Sequence, residues 1–334
     1  MMHFVRIHLL LVAVALLIIT AAVPAQAEKF APDGAPDPAA SVIDQGTLLK
    51  QAPRIQGRID IPDRKASVLI QPAGRTWDYF HEVLLHWGAA VVIVGMIALL
   101  GLAYSVIGRV RIAAGRSGYK VLRFKAFERF SHWLTAISFV VLGLTGLNIT
   151  FGKVLLLPLV GPDAFSEIAE AAKYVHNFTS FAFVTGLILI TVLFFKDNFL
   201  ERVDIDWVKQ GGGFIGSKHA SAGRFNLGEK LVYWLSVGAG IAVSVSGILL
   251  LFPFYGTNIA DMQIAQVVHA VVAVLFIALI LGHIYIGTLG MEGAFEAMAT
   301  GEVDVNWAKE HHDLWLAQKL KEDQRGEPVA TPAE

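Results

Sequence analysis

The sequence predicts an all-α membrane protein, a four-helix transmembrane core with one additional N-terminal transmembrane helix. Three observations carry that expectation: the composition, the spacing of the apolar runs, and the histidines set inside those runs. Of 334 residues, 55% are hydrophobic and only 16% charged, and the mean hydropathy is +0.57, as in a chain whose solvent is largely lipid. Cysteine is absent, which excludes disulfides, thiolate zinc sites and any iron–sulfur cluster carried by this chain itself. The formal net charge of −1 says little about partners, and no nucleic-acid partner is expected.

The opening stretch MMHFVRIHLLLVAVALLIITAAVPAQAEKF has a basic start at Arg6, an apolar core from Leu9 to Ala22, and Ala25-Gln26-Ala27 as a small-residue cleavage site. Residues 1–27 therefore read as a signal peptide, with an uncleaved first helix as the alternative. Residues 28–76, rich in Pro, Asp, Ala and Gln without a sustained helical period, read as a partly disordered periplasmic arm. Five apolar runs follow, at 84–107, 132–151, 176–195, 231–252 and 264–289, each long enough for the roughly 30 Å hydrocarbon core and helical because lipid offers the backbone no partners. The organisation is then an extra transmembrane helix at 77–108, a basic loop at 109–131, the four-helix core at 132–290 and a charged tail at 291–334.

Charge sets the orientation. Seven Lys or Arg lie between Arg109 and Arg129 and six in 196–230, against two in 152–173 and none in 253–263. The first two segments are therefore cytoplasmic, and so is the C-terminus. Arg64, Lys65 and Arg75 on the outer arm run against this, although long translocated segments weigh little in that rule.

Ionisable residues inside membrane helices are costly and mark functional sites. Four histidines qualify: His132, His176, His269 and His283. In QVVHAVVAVLFIALILGHIYIGTLG, His269 and His283 are fourteen residues apart. At about 100° and 1.5 Å per residue they return to within roughly 40° of one face and rise about 21 Å, so one helix carries both near opposite membrane surfaces. By depth, His176 is level with His269 and His132 with His283. Paired neutral imidazoles without thiolate or carboxylate suit six-coordinate haem iron better than zinc, so two b-type haems stacked across the bilayer are expected.

Flanking features read two ways. Gly143, Gly146, Gly186, Gly238, Gly240, Gly247 and Gly282 leave room for a macrocycle or serve helix packing. Arg129 pairs with a haem propionate or anchors the helix end in the interface. His3 and His8 belong to the signal, and His219, His311 and His312 read as solvated residues without a special role. His81 and His86, five apart in WDYFHEVLLHWG, do not share a helix face and read as interfacial, not as ligands.

The stretches ERFSHW, YVHNF, RFNLGEKLVYW, VVHAVVAVLFIALILGH and GEVDVNWAKEHH resemble the cytochrome b (gamma) subunit of membrane-bound respiratory formate dehydrogenases, over about Phe124 to Trp315. FNLGEK and WAKEHH favour that branch over the related cytochromes b of nickel-iron hydrogenases. The resemblance implies a four-helix di-haem cytochrome b core, with His176 and His269 holding the outer haem b and His132 and His283 the inner. It also implies a quinone site built partly by Asn226, Gly228 and Glu229, close to His283. Glu229 stands where the family's pattern has Gln, and a carboxylate there can relay protons. The same loop also reads as a helix start, Asn226 capping with Glu229, and both readings can hold.

The implied partners are an iron–sulfur beta subunit and a molybdenum- or tungsten-containing alpha subunit that oxidises formate outside. Electrons then run inward to a quinone that takes protons from the cytoplasm. The alternatives are the cytochrome b subunit of another oxidoreductase, such as a hydrogenase, or a haem-free anchor or transporter whose histidines relay protons.

Overall fold

The computed structural model describes residues 74–213, 220–323 and 330–332. The expected signal peptide, the arm up to residue 73 and His219 lie outside them. Among the described residues five helices are long and apolar enough to cross a membrane: Trp77–Ile107, Ala126–Leu155, Pro162–Phe194, Leu227–Leu251 and Ile259–Gly290. The chain is a multi-pass, all-α membrane protein, as its composition predicts. The helices overrun the apolar runs because their ends continue into polar turns. Pro162–Phe194, for example, opens on PDAFSEIAEAAK and at 33 residues spans about 50 Å.

Leaving aside the short helices Gly74–Tyr79 and Leu157–Val160, the helices are α1 (His86–Ile107), α2 (Ala126–Leu155), α3 (Pro162–Phe194), α4 (Arg202–Lys209), α5 (Leu227–Leu251) and α6 (Ile259–Tyr285). Three short ones follow, α7 (Ala294–Ala299), α8 (Val305–His311) and α9 (Asp313–Asp323). Helix starts follow local chemistry: Asn226 accepts from the Glu229 N–H at α5 and Asn258 from the Asp261 N–H at α6. α2 packs on α3, α5 on α6, α3 on α5, and α1 on α6. Small residues set the closest approaches. A Cβ on Gly186 of α3 would collide with Thr135 of α2, and one on Gly240 of α5 would lie 2.8 Å from Leu187 of α3.

α1 is entered through a π-helical segment, Phe80–Leu85. That wider turn brings residues five apart onto one side. The His81 and His86 rings accordingly meet edge to face with centroids 6.3 Å apart, contrary to the straight-helix expectation. The His86 Nε2 lies 2.8 Å from the Thr150 carbonyl oxygen, a polar tie between the extra helix and α2.

At the end where α2 and α5 begin, the α1–α2 loop and the tail fold together as a cap. β1 (Tyr119–Leu122) pairs antiparallel with β2 (Glu302–Asp304) and β3 (Ala330–Pro332) in the order β2-β1-β3, with Val121 opposite Val303 and Ala330. Carboxylates of the tail pin the loop's backbone: Ala113 and Ala114 donate to Glu310 at 3.0 Å each, and Ser117 donates to Asp304 at 2.9 Å. Val303, Trp307, Ala308, Trp315 and Leu316 are buried with Val121, Phe124 and Phe194 in one core. The tail is thus not a loose charged segment. His312, expected in solvent, is 1% exposed, because the cap core closes over it.

Candidate functional site: two stacked imidazole pairs

α6 presents His269 and His283 on one side, toward α3 and α2. His269 faces His176 of α3 with ring centroids 6.2 Å apart and planes at 66°. His283 faces His132 of α2, also at 6.2 Å, with planes at 56°. Each ring pair therefore spans a gap of the size that two metal–imidazole bonds of about 2 Å bridge.

In the pair far from the cap, second contacts orient the rings. Thr145 donates its hydroxyl proton to the Val141 carbonyl (2.7 Å), so toward the His176 Nδ1–H, 2.9 Å away, it acts as acceptor. Ser246 repeats the arrangement on α5, donating to the Ala242 carbonyl (2.7 Å) and accepting from the His269 Nδ1–H (3.1 Å), which also faces the Val243 carbonyl at 3.1 Å. With Nδ1 as the donor, Nε2 keeps its lone pair, the form a metal ligand requires. A glycine follows each hydroxyl residue and seats the ring: a Cβ on Gly146 would lie 3.4 Å from the His176 Cε1, and one on Gly247 3.3 Å from the His269 Cε1. In the pair near the cap, the His132 Nδ1 is buried without a hydrogen-bond partner.

Between the two layers sits an aromatic partition. Phe276 is seven residues from both α6 histidines, Phe139 is seven after His132, and Phe183 seven after His176. Seven residues are about two turns, so each helix aims His and Phe to the same side about 10 Å apart. The Phe276 ring lies 4.6 Å from Phe139 and 6.4 Å from Phe183. The glycines now separate by role. Gly186 and Gly240 serve packing, Gly146 and Gly247 seat rings, Gly143 makes ordinary contact with Ile277, and Gly238 and Gly282 face open space.

The other candidates lie at the capped end. Arg129 donates to the Ala299 carbonyl at 2.9 Å, tying α2 to the cap, while its Nε is buried unpartnered. Asn226, Gly228 and Glu229 form the start of α5, and Glu229 accepts from the Asn226 N–H (2.9 Å) and from Arg123 Nη2 (3.0 Å). The Arg123 guanidinium, its side chain 1% exposed, sits among the rings of Phe124, Phe225, Trp307 and Trp315 at 5.2 to 5.9 Å. Burial presses its pKa below the usual arginine value, and Glu229 opposes that. The Glu229 side chain keeps an open face, 37% exposed. Sequence reasoning missed Arg123 and His312, whose positions depend on the cap. It also missed Thr145, Ser246 and the three phenylalanines, which the hydroxyl–glycine pairs and the seven-residue spacing could have revealed.

Fold and site together define a membrane-embedded four-helix core that offers two stacked bis-imidazole sites, with a fifth helix alongside. Among the described residues no group of three or more His, Cys, Asp or Glu is placed to hold a metal ion, so the donor set suits an iron whose remaining ligands come from a macrocycle. The chain belongs to the prokaryotic cytochrome b561 family, whose pattern residues 123–301 match. Membership implies haem b, which the paired rings fit. Among relatives, the formate dehydrogenase cytochrome b556(fdo) subunit of Escherichia coli is 28% identical over 205 residues, 60% of this chain and 94% of that subunit. The formate dehydrogenase cytochrome b556 subunit of Haemophilus influenzae is 30% identical over 217 residues, 61% of this chain and 87% of that one. The nitrate-inducible cytochrome b556(Fdn) subunit of E. coli is 26% identical over 217 residues, 62% and 97%.

Proposed function

We propose that this chain is the membrane-anchoring di-haem cytochrome b subunit of a formate dehydrogenase. Its partners are an iron–sulfur subunit and a molybdenum- or tungsten-containing catalytic subunit on the periplasmic side of a bacterial inner membrane. The observation that carries the reading is the pair of facing imidazole sets, each 6.2 Å between ring centroids, on a chain related throughout its core to such subunits. His176 with His269 and His132 with His283 would each hold one haem b, which would supply one-electron transfer from the outer to the inner side of the membrane, toward a quinone.

The protein's own residues do the rest. Thr145 and Ser246 hold the outer imidazoles in the Nδ1–H tautomer, and Gly146 and Gly247 let the rings lie against the neighbouring helices. Phe139, Phe183 and Phe276 close the space between layers to water. Asn226, Gly228 and Glu229 form the quinone-side loop, where Glu229 presents a carboxyl group to the bound quinone from its open face. The abundance of Lys and Arg in 109–129 supports a cytoplasmic cap, with the arm at 28–76, after a signal peptide at 1–27, on the periplasmic side.

Pyridine haemochrome analysis of the purified chain is expected to give two haems b per chain, and His132→Ala and His269→Ala each to remove a different one. Fewer than two in the unaltered protein, or loss of neither in the variants, rejects the ligand assignment. Co-purified subunits are expected to include a formate-oxidising one; a nickel-containing partner would assign the chain to a hydrogenase instead.

A further inference from the structure

The capped end holds a group that the proposed electron path does not use. His312 is 1% exposed, and its Nδ1 lies 3.0 Å from the Gly223 carbonyl oxygen. A carbonyl only accepts, so Nδ1 carries the proton and a neutral His312 turns a lone pair outward from Nε2. That Nε2 has no hydrogen-bond partner, and the Glu229 Oε2 lies 3.7 Å from it. A carboxylate oxygen and an imidazole lone pair are both acceptors, and a proton between them turns their mutual repulsion into attraction.

We propose that Glu229 and His312 share one proton and form the store from which the quinone-side loop draws. This rests on reading the Asn226–Glu229 loop as the quinone site. The store has two forms of equal charge: a neutral carboxyl donating to the His312 Nε2, or an imidazolium donating to the Glu229 carboxylate. Arg123, fixed at 3.0 Å from the Glu229 Oε1, is the permanent positive charge beside it. The other charged or titratable neighbours are Lys230 on α5, Arg224 before α5 and His311 on α8. Arg224 is committed to Glu128 and Asp197 at 2.7 and 2.6 Å, and Lys230 to Asp204 at 2.8 Å. Those charges are balanced elsewhere, so the His312 Nε2 and the Arg123 Nη1, both buried without a hydrogen-bond partner, are what this cluster leaves open beside Glu229.

Burial and the Arg123 charge hold the His312 pKa well below 6.5, which disfavours the imidazolium form of the pair. When the quinone has received its electron pair from formate oxidation, the Glu229 O–H bond breaks and the proton passes to a quinone oxygen. The pair then reloads with one proton from the capped side, and the second proton of the quinol comes by another route. Only Glu229 reaches the quinone; His312 positions and holds the proton.

The test uses the full complex and three variants, His312→Gln, Glu229→Gln and Glu229→Asp, each checked for unchanged haem content. Infrared difference spectra between pH values are expected to show a protonated carboxyl band that Glu229→Gln abolishes and Glu229→Asp retains. In His312→Gln its midpoint moves by about one pH unit or more. Quinone reduction in His312→Gln is expected to fall roughly tenfold on the alkaline side and less on the acid side, because the store empties earlier. A band and a rate profile both unaltered by His312→Gln overturn the proposal. A band that moves while quinone reduction keeps its wild-type profile overturns the role as a store. Because the band is read without turnover, a protein that reduces no quinone at all would reject the quinone reading separately from the pairing.

Discussion

Replacing Lys230 with Met removes a cation that is 2% exposed and lies 2.8 Å from the Asp204 Oδ2. At that distance, and with an effective dielectric of about 20, the attraction is about 6 kcal/mol, much of it offset by the desolvation of both ions. Glu201, at 3.6 Å and 63% exposed, adds little. Removal of one partner strands the other: the Asp204 side chain is 5% exposed and cannot recover water. The expected cost is therefore about 3 to 5 kcal/mol, or a fall in Tm on the order of 10 °C. Thermal melts of the detergent-solubilised chain, followed by circular dichroism, measure it. Adding Asp204→Asn to the variant removes the stranded charge while keeping an acceptor for the Glu201 N–H, now bonded at 2.7 Å, and is expected to restore more than half the loss. A single-variant loss below about 1 kcal/mol, or a double variant worse than the single, would refute the buried-pair argument.

Other consequences follow from the same geometry. Gly247→Val is expected to cost the outer haem and leave the inner one, since a side chain there meets the His269 ring at 3.3 Å. Gly238→Val, with nothing within 4 Å, leaves both, and a haem count that treats the two alike speaks against ring seating. Phe276→Ala opens a hole between Phe139 and Phe183 and is expected to cost about 3 kcal/mol or more, checked by the same melts; a neutral result would mean that the layers do not depend on the partition.

Much of the intramembrane site was legible because a helix makes periodicity into geometry. The fourteen-residue spacing on α6 placed two histidines on one side, and alternation of direction assigned each a partner at equal depth. The same rule read at seven residues would have exposed Phe139, Phe183 and Phe276. The straight-helix rule failed at His81 and His86, because a π-helical segment changes the angle per residue. It failed again at His312, whose burial has no local signature: the polar run WAKEHH looks solvated until Trp307 and Trp315 close over it.

Composition, apolar length and in-helix spacing thus determined the membrane class, the number of spans and which histidines share a level, since these depend on one helix at a time and on lipid as solvent. Contacts between segments far apart in the chain were decided only by the tertiary structure. Glu310 holding the loop at 113–114, Arg123 reaching Glu229, and the His312 Nε2 turned toward that same carboxylate all join groups far apart in the chain and bury polar residues that propensity alone assigns to water.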